Sequence, residues 1–493
     1  MRPEPETFTD PDAPSLDMDP AAFRAAAHAV ADLMADYLES IEDRPVFPGI
    51  EPGSLRGLFP ASAAGGPDSI EAILADYARL VEPNATHWQH PGFLAYFPTT
   101  ASGPGILGEM LTAAIGQNAM LWRTSPIGTE LEEVVVGWLR EGLGLPATFD
   151  GLLTDTASIS TLIALGAARE AAGTDAASRG LAGRDDLGSG LRVYASAEAH
   201  SSVDKACMTL GLGRASLVHV PVNDRYEMLP NVLAASIAAD REAGLLPIAV
   251  VATLGTTSST SIDPVAAIAD IAERERVWLH VDAAYAGAAA LLPERRAPFA
   301  GWERADSIVV NPHKWLFTPL DASLLLTRRM ESLRAAFSLV PEYLRTLDRE
   351  TPVHDYNEYI PQLGRRFRAL KLWVQLRWFG LDGLGARIAA HLVMAEAFAG
   401  WVEADRDWEL LAPIPFSTVC FRWRPAGRDL DEAGLDEANA AIMDAVNRTG
   451  EVFLSHTRLT GRFTIRVAIG NLRTEPRHIE RTWALLREAA TAW

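Results

Sequence analysis

A lysine and an aspartate are the residues of this chain whose types and surroundings point most directly to chemistry. Only three of the 44 basic residues are lysines, Lys205, Lys314 and Lys371, and the other 41 are arginines. Lys314 lies in Asn-Pro-His-Lys-Trp at 311–315, directly after the apolar run 307–310. Arginine stays protonated in proteins, whereas lysine can become a neutral amine and form a Schiff base. The position of Lys314 alone leaves two interpretations open: a lysine that caps a strand end, or a nucleophilic lysine.

Asp282 follows a second apolar run, at 277–281, and small residues come after it. This pattern is typical of the carboxyl end of a buried strand, the edge at which open α/β sheets bind ligands. An aspartate there commonly caps a helix. Pyridoxal phosphate (PLP), however, needs a lysine for its carbonyl carbon and an acidic partner for its pyridine nitrogen. Asp282 and Lys314 together therefore predict a PLP site.

Composition excludes several classes of function. At 493 residues with 48% hydrophobic and 22% charged residues, the chain is typical of a globular protein of two to four domains. A net charge of −20 argues against nucleic-acid and anionic-membrane partners. Two cysteines, Cys207 and Cys420, favour a reducing compartment and no metal. Residues 1–19 lack the pattern of a signal peptide, and no apolar stretch approaches the ~20 residues of a membrane span. We expect a cytoplasmic protein.

The apolar periodicity divides the chain into three predicted parts, 1–102, 103–377 and 378–493. The first has helical spacing over 19–42 and 70–80. The second alternates short β-like runs with alanine-rich helical stretches, which predicts a mostly parallel sheet flanked by helices. Its predicted strands are 193–195, 217–220, 248–252, 277–281 and 307–310. The third part reads as a small α+β domain, with a long helix, strands over 417–423 and 462–469, and a last helix over 476–490. The stretch 171–190 is predicted to be a surface loop.

Several motifs in a shared order carry a resemblance to a known family. They are His-Val-Asp-Ala-Ala-Tyr-Ala-Gly at 280–287, Asn-Pro-His-Lys-Trp at 311–315, and the segments 90–99, 125–132, 200–203, 253–257 and 363–368. These resemble the signatures of the group II PLP-dependent decarboxylases, and among them most closely those of the aromatic-L-amino-acid decarboxylases. The resemblance extends from about residue 20 to the C-terminus. It implies an α/β fold of the aspartate-aminotransferase type (fold type I). It also implies an obligate homodimer, with the N-terminal segment around the second subunit and the active sites at the interface.

The resemblance implies a role for each matching residue of the cofactor site. Lys314 would hold PLP, Asp282 its pyridine nitrogen, and His200 and Ala284 the two faces of its ring. Thr156, Ala157 and Ser158 stand at a predicted helix start, where hydroxyls and free N–H groups suit a phosphate, although an ordinary helix cap is also possible. Relatives usually have Ser-Ala-Ser and an acidic residue here, which Thr156 and Ile159 replace. Further predicted cofactor contacts are Thr257, Asn311 and His313.

Tyr343 bears on the type of reaction. It lies in Val-Pro-Glu-Tyr-Leu at 340–344, before a polar stretch of little pattern that is typical of a mobile loop. The resemblance implies that this tyrosine protonates the substrate carbon after carbon dioxide leaves. Relatives with phenylalanine there tend to form aldehydes and consume oxygen. A merely exposed loop tyrosine is the alternative.

The resemblance also implies a substrate pocket with an aromatic wall. Asn118 and Met120 match residues that reach the site of the neighbouring subunit, and glycine at the position of Gly364 accompanies indole substrates in plant relatives. The predicted pocket residues are Trp88, Tyr96, Phe97, Pro98, Thr99, Asn118, Met120 and Gly364. An aromatic cluster of this kind is also typical of an ordinary core.

The resemblance thus predicts decarboxylation of an aromatic L-amino acid (tryptophan or 5-hydroxytryptophan, phenylalanine, tyrosine or dopa) to an arylalkylamine, catalysed by Lys314, Asp282, His200 and Tyr343 with PLP. Three alternatives stay open. One is a group II decarboxylase for glutamate or 2,4-diaminobutyrate, and another is an oxygen-dependent aromatic aldehyde synthase. The third is a binding protein that has kept the fold without the activity.

Overall fold

The computed structural model of the protein describes residues 17–63, 65–187, 190–339 and 353–493. The chain divides into two compact units, one ending at His87 and the other spanning Trp88–Trp493. The helices of the first unit are α1 (Pro20–Glu39) and α2 (Ile70–Asp76).

Helix α1 begins where its sequence caps it. The Asp19 carboxylate accepts hydrogen bonds from the N–H groups of Ala21 and Ala22, and a proline occupies the first helical position. The predicted helix at 19–42 is therefore confirmed. The predicted helix at 70–80 is confirmed in part, because the α-helix ends at Asp76 and a π-helical turn, Tyr77–Val81, follows it.

The second unit contains the remaining helices and every strand of the described chain. Its helices are α3 (Gly103–Ile115), α4 (Pro126–Gly142), α5 (Ala157–Ala171), α6 (Ala176–Arg179), α7 (Ser202–Thr209), α8 (Pro230–Glu242), α9 (Val265–Glu275), α10 (Met330–Phe337), α11 (Arg368–Ala404), α12 (Glu432–Arg448) and α13 (Pro476–Ala492). Its strands are β1 (Asp150–Thr154), β2 (Leu191–Ser196), β3 (Leu217–Val220), β4 (Leu246–Thr253), β5 (Trp278–Asp282), β6 (Ser307–Val310), β7 (Ser323–Thr327), β8 (Trp408–Leu410), β9 (Thr418–Trp423), β10 (Ser455–Leu459) and β11 (Arg462–Ala468).

Seven strands form a large sheet in the order β1-β7-β6-β5-β4-β2-β3. Strands β3, β2, β4, β5 and β6 run parallel to one another, and β7 is antiparallel to both of its neighbours, β6 and β1. Every residue of β5, β6 and β7 is buried, because helices cover both faces of the sheet. The predicted α/β class and the five predicted strands are confirmed. Strands β1 and β7 were not predicted.

Four antiparallel strands form a smaller sheet, in the order β10-β11-β9-β8. Helices α12 and α13 and the second half of α11 pack against it around one apolar core, which includes Phe398, Phe421 and Ile465. The predicted C-terminal α+β region is therefore confirmed, including its last helix.

Helix α11 crosses the predicted boundary at 377/378, and its helical conformation is interrupted at Gly380 (φ 63°, ψ 170°). The boundaries at 102 and 377 stay predictions. The stretch predicted as a loop at 171–190 also contains α6 and a 3-10 turn, Asp185–Leu187. Within the described ranges, no helix has the length and apolarity to cross a membrane, and no group of three or more His, Cys, Asp or Glu side chains is placed to hold a metal ion.

Candidate active site

Asp282 and Lys314 line one cavity of about 200 Å³ at the carboxyl edge of the large sheet. Asp282 is the last residue of β5, and Lys314 lies in the turn that follows the neighbouring strand β6. Parallel strands end at the same edge, so these two side chains converge although they belong to different strands. The predicted pairing of lysine and aspartate is realised in space.

The two charges of this cavity influence each other. Burial lowers the pKa of Lys314, and the Asp282 carboxylate opposes that shift. Asp282 is only 6% exposed, and its Oδ1 accepts a hydrogen bond from the Ala284 N–H at 3.1 Å. A lysine in such surroundings is a neutral amine at lower pH than a lysine in water, which makes it a better nucleophile.

His200 follows β2 and lines the same cavity. Its Nδ1 accepts the backbone N–H of Ser202 at 3.1 Å, so the proton of the neutral ring is on Nε2. Burial and the Lys314 ammonium lower the pKa of His200, and Asp282 raises it. The ring is thereby fixed in orientation and favoured in its neutral form.

The turn at 156–158 leads into helix α5, and the Asp155 carboxylate accepts hydrogen bonds from the Thr156 N–H at 2.6 Å and the Thr156 hydroxyl at 3.4 Å. Thr156 is the N-cap, yet its side chain makes no capping hydrogen bond, and Ser158 is exposed. Both residues and Ala157 line the cavity. Ile159 packs against an apolar cluster that includes Leu152 and Ile163, and it does not belong to the described lining of the cavity. The positive end of α5 and two hydroxyls suit a phosphate.

Two buried polar atoms support a bound polar ligand. Asn311 Oδ1 and Thr253 Oγ1 both belong to cavity residues, and neither has a hydrogen-bond partner within the described chain. Buried polar atoms of folded proteins rarely stay unpaired. His313, by contrast, accepts the Ala322 N–H on Nδ1, and burial lowers its pKa to about 3. The set of lysine, aspartate, hydroxyls and unpaired acceptors fits PLP.

A stack of three aromatic rings adjoins the cavity, and two of them, Phe97 and Tyr285, line it. Phe97 stacks on Tyr285 with centroids 3.9 Å apart, and Tyr285 stacks on Trp315 at 4.6 Å. The Lys314 Nζ lies 5.3 Å from the centroid of Phe97. Our sequence reasoning missed Tyr285, Thr253 and Gly255 as lining residues. All three lie within quoted motifs, and their nearness to predicted residues was the available signal.

The remaining predicted cofactor residues, Thr257 and Ala284, also line the cavity. Of the predicted substrate-pocket residues, Phe97 alone belongs to its described lining. Trp88 and Tyr96 stack on each other at 6.1 Å, and Pro98 and Thr99 follow them directly.

Asn118, Met120 and Gly364 lie together at a second place. The Asn118 Oδ1 accepts the backbone N–H of Arg365 at 2.9 Å, and the Asn118 Nδ2 lies 3.5 Å from the sulfur of Met120. A Cβ on Gly364 would lie 4.0 Å from the Asn118 Nδ2. Tyr343 lies outside the described residues.

The comparisons with known proteins agree with this geometry. The model of the pyridoxal-dependent decarboxylase conserved domain matches residues 52–424. The chain is 39% identical to tryptophan decarboxylase 2 of Oryza sativa subsp. japonica, over 96% of this chain and 95% of the relative. It is 38% identical to phenylacetaldehyde synthase of Arabidopsis thaliana, over 96% and 97%. The crystal structure of Oryza sativa TDC with PLP and tryptamine superposes with a TM-score of 0.92 at 36% identity, covering 99% of each chain. The lysine–aspartate cavity and a family match over most of the sequence lead to the same conclusion: the chain belongs to the pyridoxal-dependent decarboxylases.

Proposed function

We propose that this PLP-dependent decarboxylase removes the α-carboxyl group of an aromatic L-amino acid as carbon dioxide and releases an arylalkylamine. The observation that carries the proposal is the cavity in which Lys314, Asp282 and His200 converge beside an aromatic wall. The relatives named above, which act on or form aromatic compounds by their names, support the same class of substrate.

Lys314 and Asp282 are the two charged residues that would bind the reacting part of the cofactor. The lowered pKa of Lys314 makes its Nζ available as a neutral amine, the form that would hold the cofactor. Asp282 holds a proton on the pyridine nitrogen. When bound, PLP supplies an electron sink for the electron pair left on the substrate α-carbon as carbon dioxide departs.

The other cavity residues bind and orient. Thr156 and Ser158 at the start of α5 would hold the phosphate of the cofactor, and Asn311, His313 and Thr257 line the same cavity and would offer further contacts to it. His200 and Ala284, which both line the cavity, would contact the ring of the bound cofactor. The bond that breaks must stand perpendicular to the ring, so the orientation of the substrate carboxylate selects decarboxylation over competing reactions.

Tyr343 is proposed to donate its phenolic proton to the substrate α-carbon after carbon dioxide leaves. Tyr343→Phe should therefore bind PLP normally but divert the product from amine toward aldehyde, ammonia and peroxide. Mass spectrometry of the product and a peroxide assay measure this change. An unchanged yield of amine would remove Tyr343 from the mechanism.

The aromatic aldehyde synthase is the second candidate function, favoured by the similarity to phenylacetaldehyde synthase. It differs from the first in consuming oxygen. The presence of Tyr343 in place of phenylalanine favours the plain decarboxylase, in which the α-carbon is protonated before oxygen can react with it.

We further propose a homodimer in which the N-terminal part, 1–102, is the dimerisation segment. Helix α1 buries none of its own residues, and its Phe23 is 59% exposed. In the second unit, α3 presents an exposed apolar stripe at helical spacing that suits a partner subunit: Leu107, Met110, Leu111 and Ile115. Cys207 and Cys420 are both free and buried, in keeping with the cytoplasmic location that we propose.

The test is a mass-spectrometric product assay of the purified protein with PLP and an equimolar mixture of L-tryptophan, 5-hydroxytryptophan, phenylalanine, tyrosine, dopa and glutamate. Arylalkylamines support the proposal, and their ratios identify the preferred ring. Aldehydes with peroxide would transfer the assignment to the synthase, and γ-aminobutyrate would transfer it to the non-aromatic decarboxylases. Lys314→Ala is the matched control, because its loss should abolish every one of these products.

A further inference from the structure

Arg365 and Glu132 form an ion pair that is completely buried. The Arg365 Nη2 lies 2.6 Å from the Glu132 Oε1, and the two side chains are 1% and 0% exposed. Glu132 belongs to α4, and Arg365 lies three positions before the first residue of α11. Burying two charges is costly, and replacing such a pair by apolar residues often leaves stability unchanged. The pair is therefore better explained by what it positions than by the stability that it adds.

The pair takes the place of a missing neighbour of β1. Strand β1 is the outermost strand of the large sheet, and its Leu153 lies opposite Leu324 of β7. The Leu153 N–H donates to the Glu132 Oε1 at 2.8 Å, and the Leu153 carbonyl accepts from the Arg365 Nη2 at 2.8 Å. Both edge groups of this residue are thus satisfied by side chains. Thr156, the first residue of the phosphate turn, follows Leu153 by three positions, so the pair fixes the strand that delivers the turn.

The same arginine also holds the segment 118–120. Its backbone N–H donates to the Asn118 Oδ1 at 2.9 Å, and its carbonyl accepts from the Ala119 N–H at 2.9 Å. Its Nη1 donates to the Ala119 carbonyl at 3.0 Å. The ring of Tyr356 lies 4.4 Å from the guanidinium and covers one of its faces. One side chain therefore joins the edge strand of the phosphate turn to a segment of the expected substrate pocket.

We propose that Arg365 is a positioning residue that, through Glu132, sets the phosphate turn and the segment 118–120 relative to each other. The inference rests on the proposed function, which gives these two elements their meaning. The planar guanidinium reaches the Glu132 carboxylate and the carbonyls of Leu153 and Ala119 at once. A lysine ammonium at the same position has no such fork.

The test is the affinity of the cofactor-free protein for PLP, followed by absorbance in the visible range. Arg365→Lys should weaken PLP binding about tenfold, because the strand leading to the phosphate turn loses charged hydrogen bonds. At saturating PLP its KM for the aromatic substrate should rise more than its kcat falls. The matched control is Arg422→Lys, since Arg422 is also buried between two carboxylates, Glu409 and Glu432, but in the small sheet. The control should lower stability and leave the PLP affinity within twofold of the wild type.

A second variant separates positioning from folding. Glu132→Leu/Arg365→Met replaces the pair by apolar residues and should fold with a Tm close to that of the wild type. It should nevertheless keep the weakened PLP binding, since the edge of β1 has lost both partners. Wild-type PLP affinity in either variant would overturn the proposal, and so would failure of both to fold, because the pair would then serve the fold as a whole. PLP binding is measured without substrate, so an error in the assigned substrate would appear in the product assay and not here.

Discussion

Two features of the site act in opposite directions on the pKa of Lys314. Burial lowers its pKa, and the carboxylate of Asp282 raises it. Asp282→Asn removes the second influence, so the pKa of Lys314 in the cofactor-free protein should fall further. The neutral amine is then present at lower pH, and the acid limb of the rate of PLP incorporation should shift down by about one pH unit. Stopped-flow absorbance across pH measures the shift.

The position of that limb matters here, and its amplitude does not, because Asp282→Asn also weakens the hold on the cofactor. Asp240→Asn is a suitable comparison, since Asp240 accepts a hydrogen bond from Tyr194 and does not line the cavity. A limb that stays at the wild-type pH in Asp282→Asn would show that the two charges are not coupled.

Substitution of Gly364 tests which aromatic ring the enzyme prefers in its substrate. A Cβ at this position would meet only the Asn118 Nδ2, at an ordinary 4.0 Å, and so a serine fits without strain. Its hydroxyl can donate a hydrogen bond to the oxygen of a phenol, whereas an unsubstituted indole has no acceptor for that bond. Gly364→Ser should lower the ratio of kcat/KM for tryptophan to that for tyrosine by about tenfold. Gly364→Ala is the control, and an equal change in both variants would assign the effect to size alone.

At the scale of the element, His354 fastens the segment that leads to α11. Its Nδ1 lies 2.9 Å from a Glu133 oxygen, and its Nε2 lies 3.6 Å from Asp150. The hydrogen bond to Glu133, followed by the charge of Asp150, raises the pKa of His354 above its usual value. Next to it, Asp355 accepts the Trp122 N–H at 2.8 Å. A protonated His354 therefore ties this segment to α4 and β1.

The pKa of His354 is higher in the folded protein than in the unfolded chain, and this sets how the stability depends on pH. The ion pairs stabilise the fold fully below the unfolded pKa of about 6.5 and lose that contribution as pH rises through the higher folded value. His354→Gln should therefore lower the Tm at pH 6 and have little effect at pH 9. The difference should correspond to less than about 1 kcal/mol, since the pair is partly exposed. Thermal unfolding at both pH values measures it, and an equal loss at both would exclude a charge effect.

Element types were easier to predict than element directions. The runs of β5 and β6 are apolar and end in Asp282 or just before Lys314, so both the strands and the converging pair followed from residue types. Strand β7, Ser-Leu-Leu-Leu-Thr, has the same apolar character whichever way it runs. Its direction is set by the 311–322 connection, which contains no α-helix and returns the chain directly, as an antiparallel neighbour requires.

The contacts across long sequence separations could not be predicted. Glu132 and Arg365 are 233 positions apart, and each alone resembles an ordinary surface charge. The stack of Phe97, Tyr285 and Trp315 likewise joins three segments whose rings face one another only in the folded chain. Neither the ion pair nor the aromatic stack produces a local pattern in the sequence. The lysine and aspartate motifs, in contrast, can be identified from the residues next to them.

At the scale of the whole molecule, the proposed dimer predicts that Met120 serves the site of the neighbouring subunit. Mixed dimers of Lys314→Ala with Met120→Arg should then retain one working site, because the subunit with an intact lysine receives an intact segment 118–120. Mixed dimers of the wild type with the double variant Lys314→Ala/Met120→Arg should be inactive. Activity of tagged, purified hybrids measures both. The reverse pattern would place Met120 in its own subunit's site.

The three lysines occupy three different environments. Lys314 lines the cavity, Lys371 is fully buried with its Nζ 2.7 Å from Glu109, and Lys205 is exposed on α7. Burial and ion pairing withhold Lys371 from reagents in solution, and bound cofactor withholds Lys314. Amine-directed labels, cross-linkers and resin couplings should therefore modify the side chains of the holoenzyme at one point, Lys205. The scarcity of lysine thus leaves Lys205 as the lysine side chain through which amine chemistry can attach the holoenzyme to a surface.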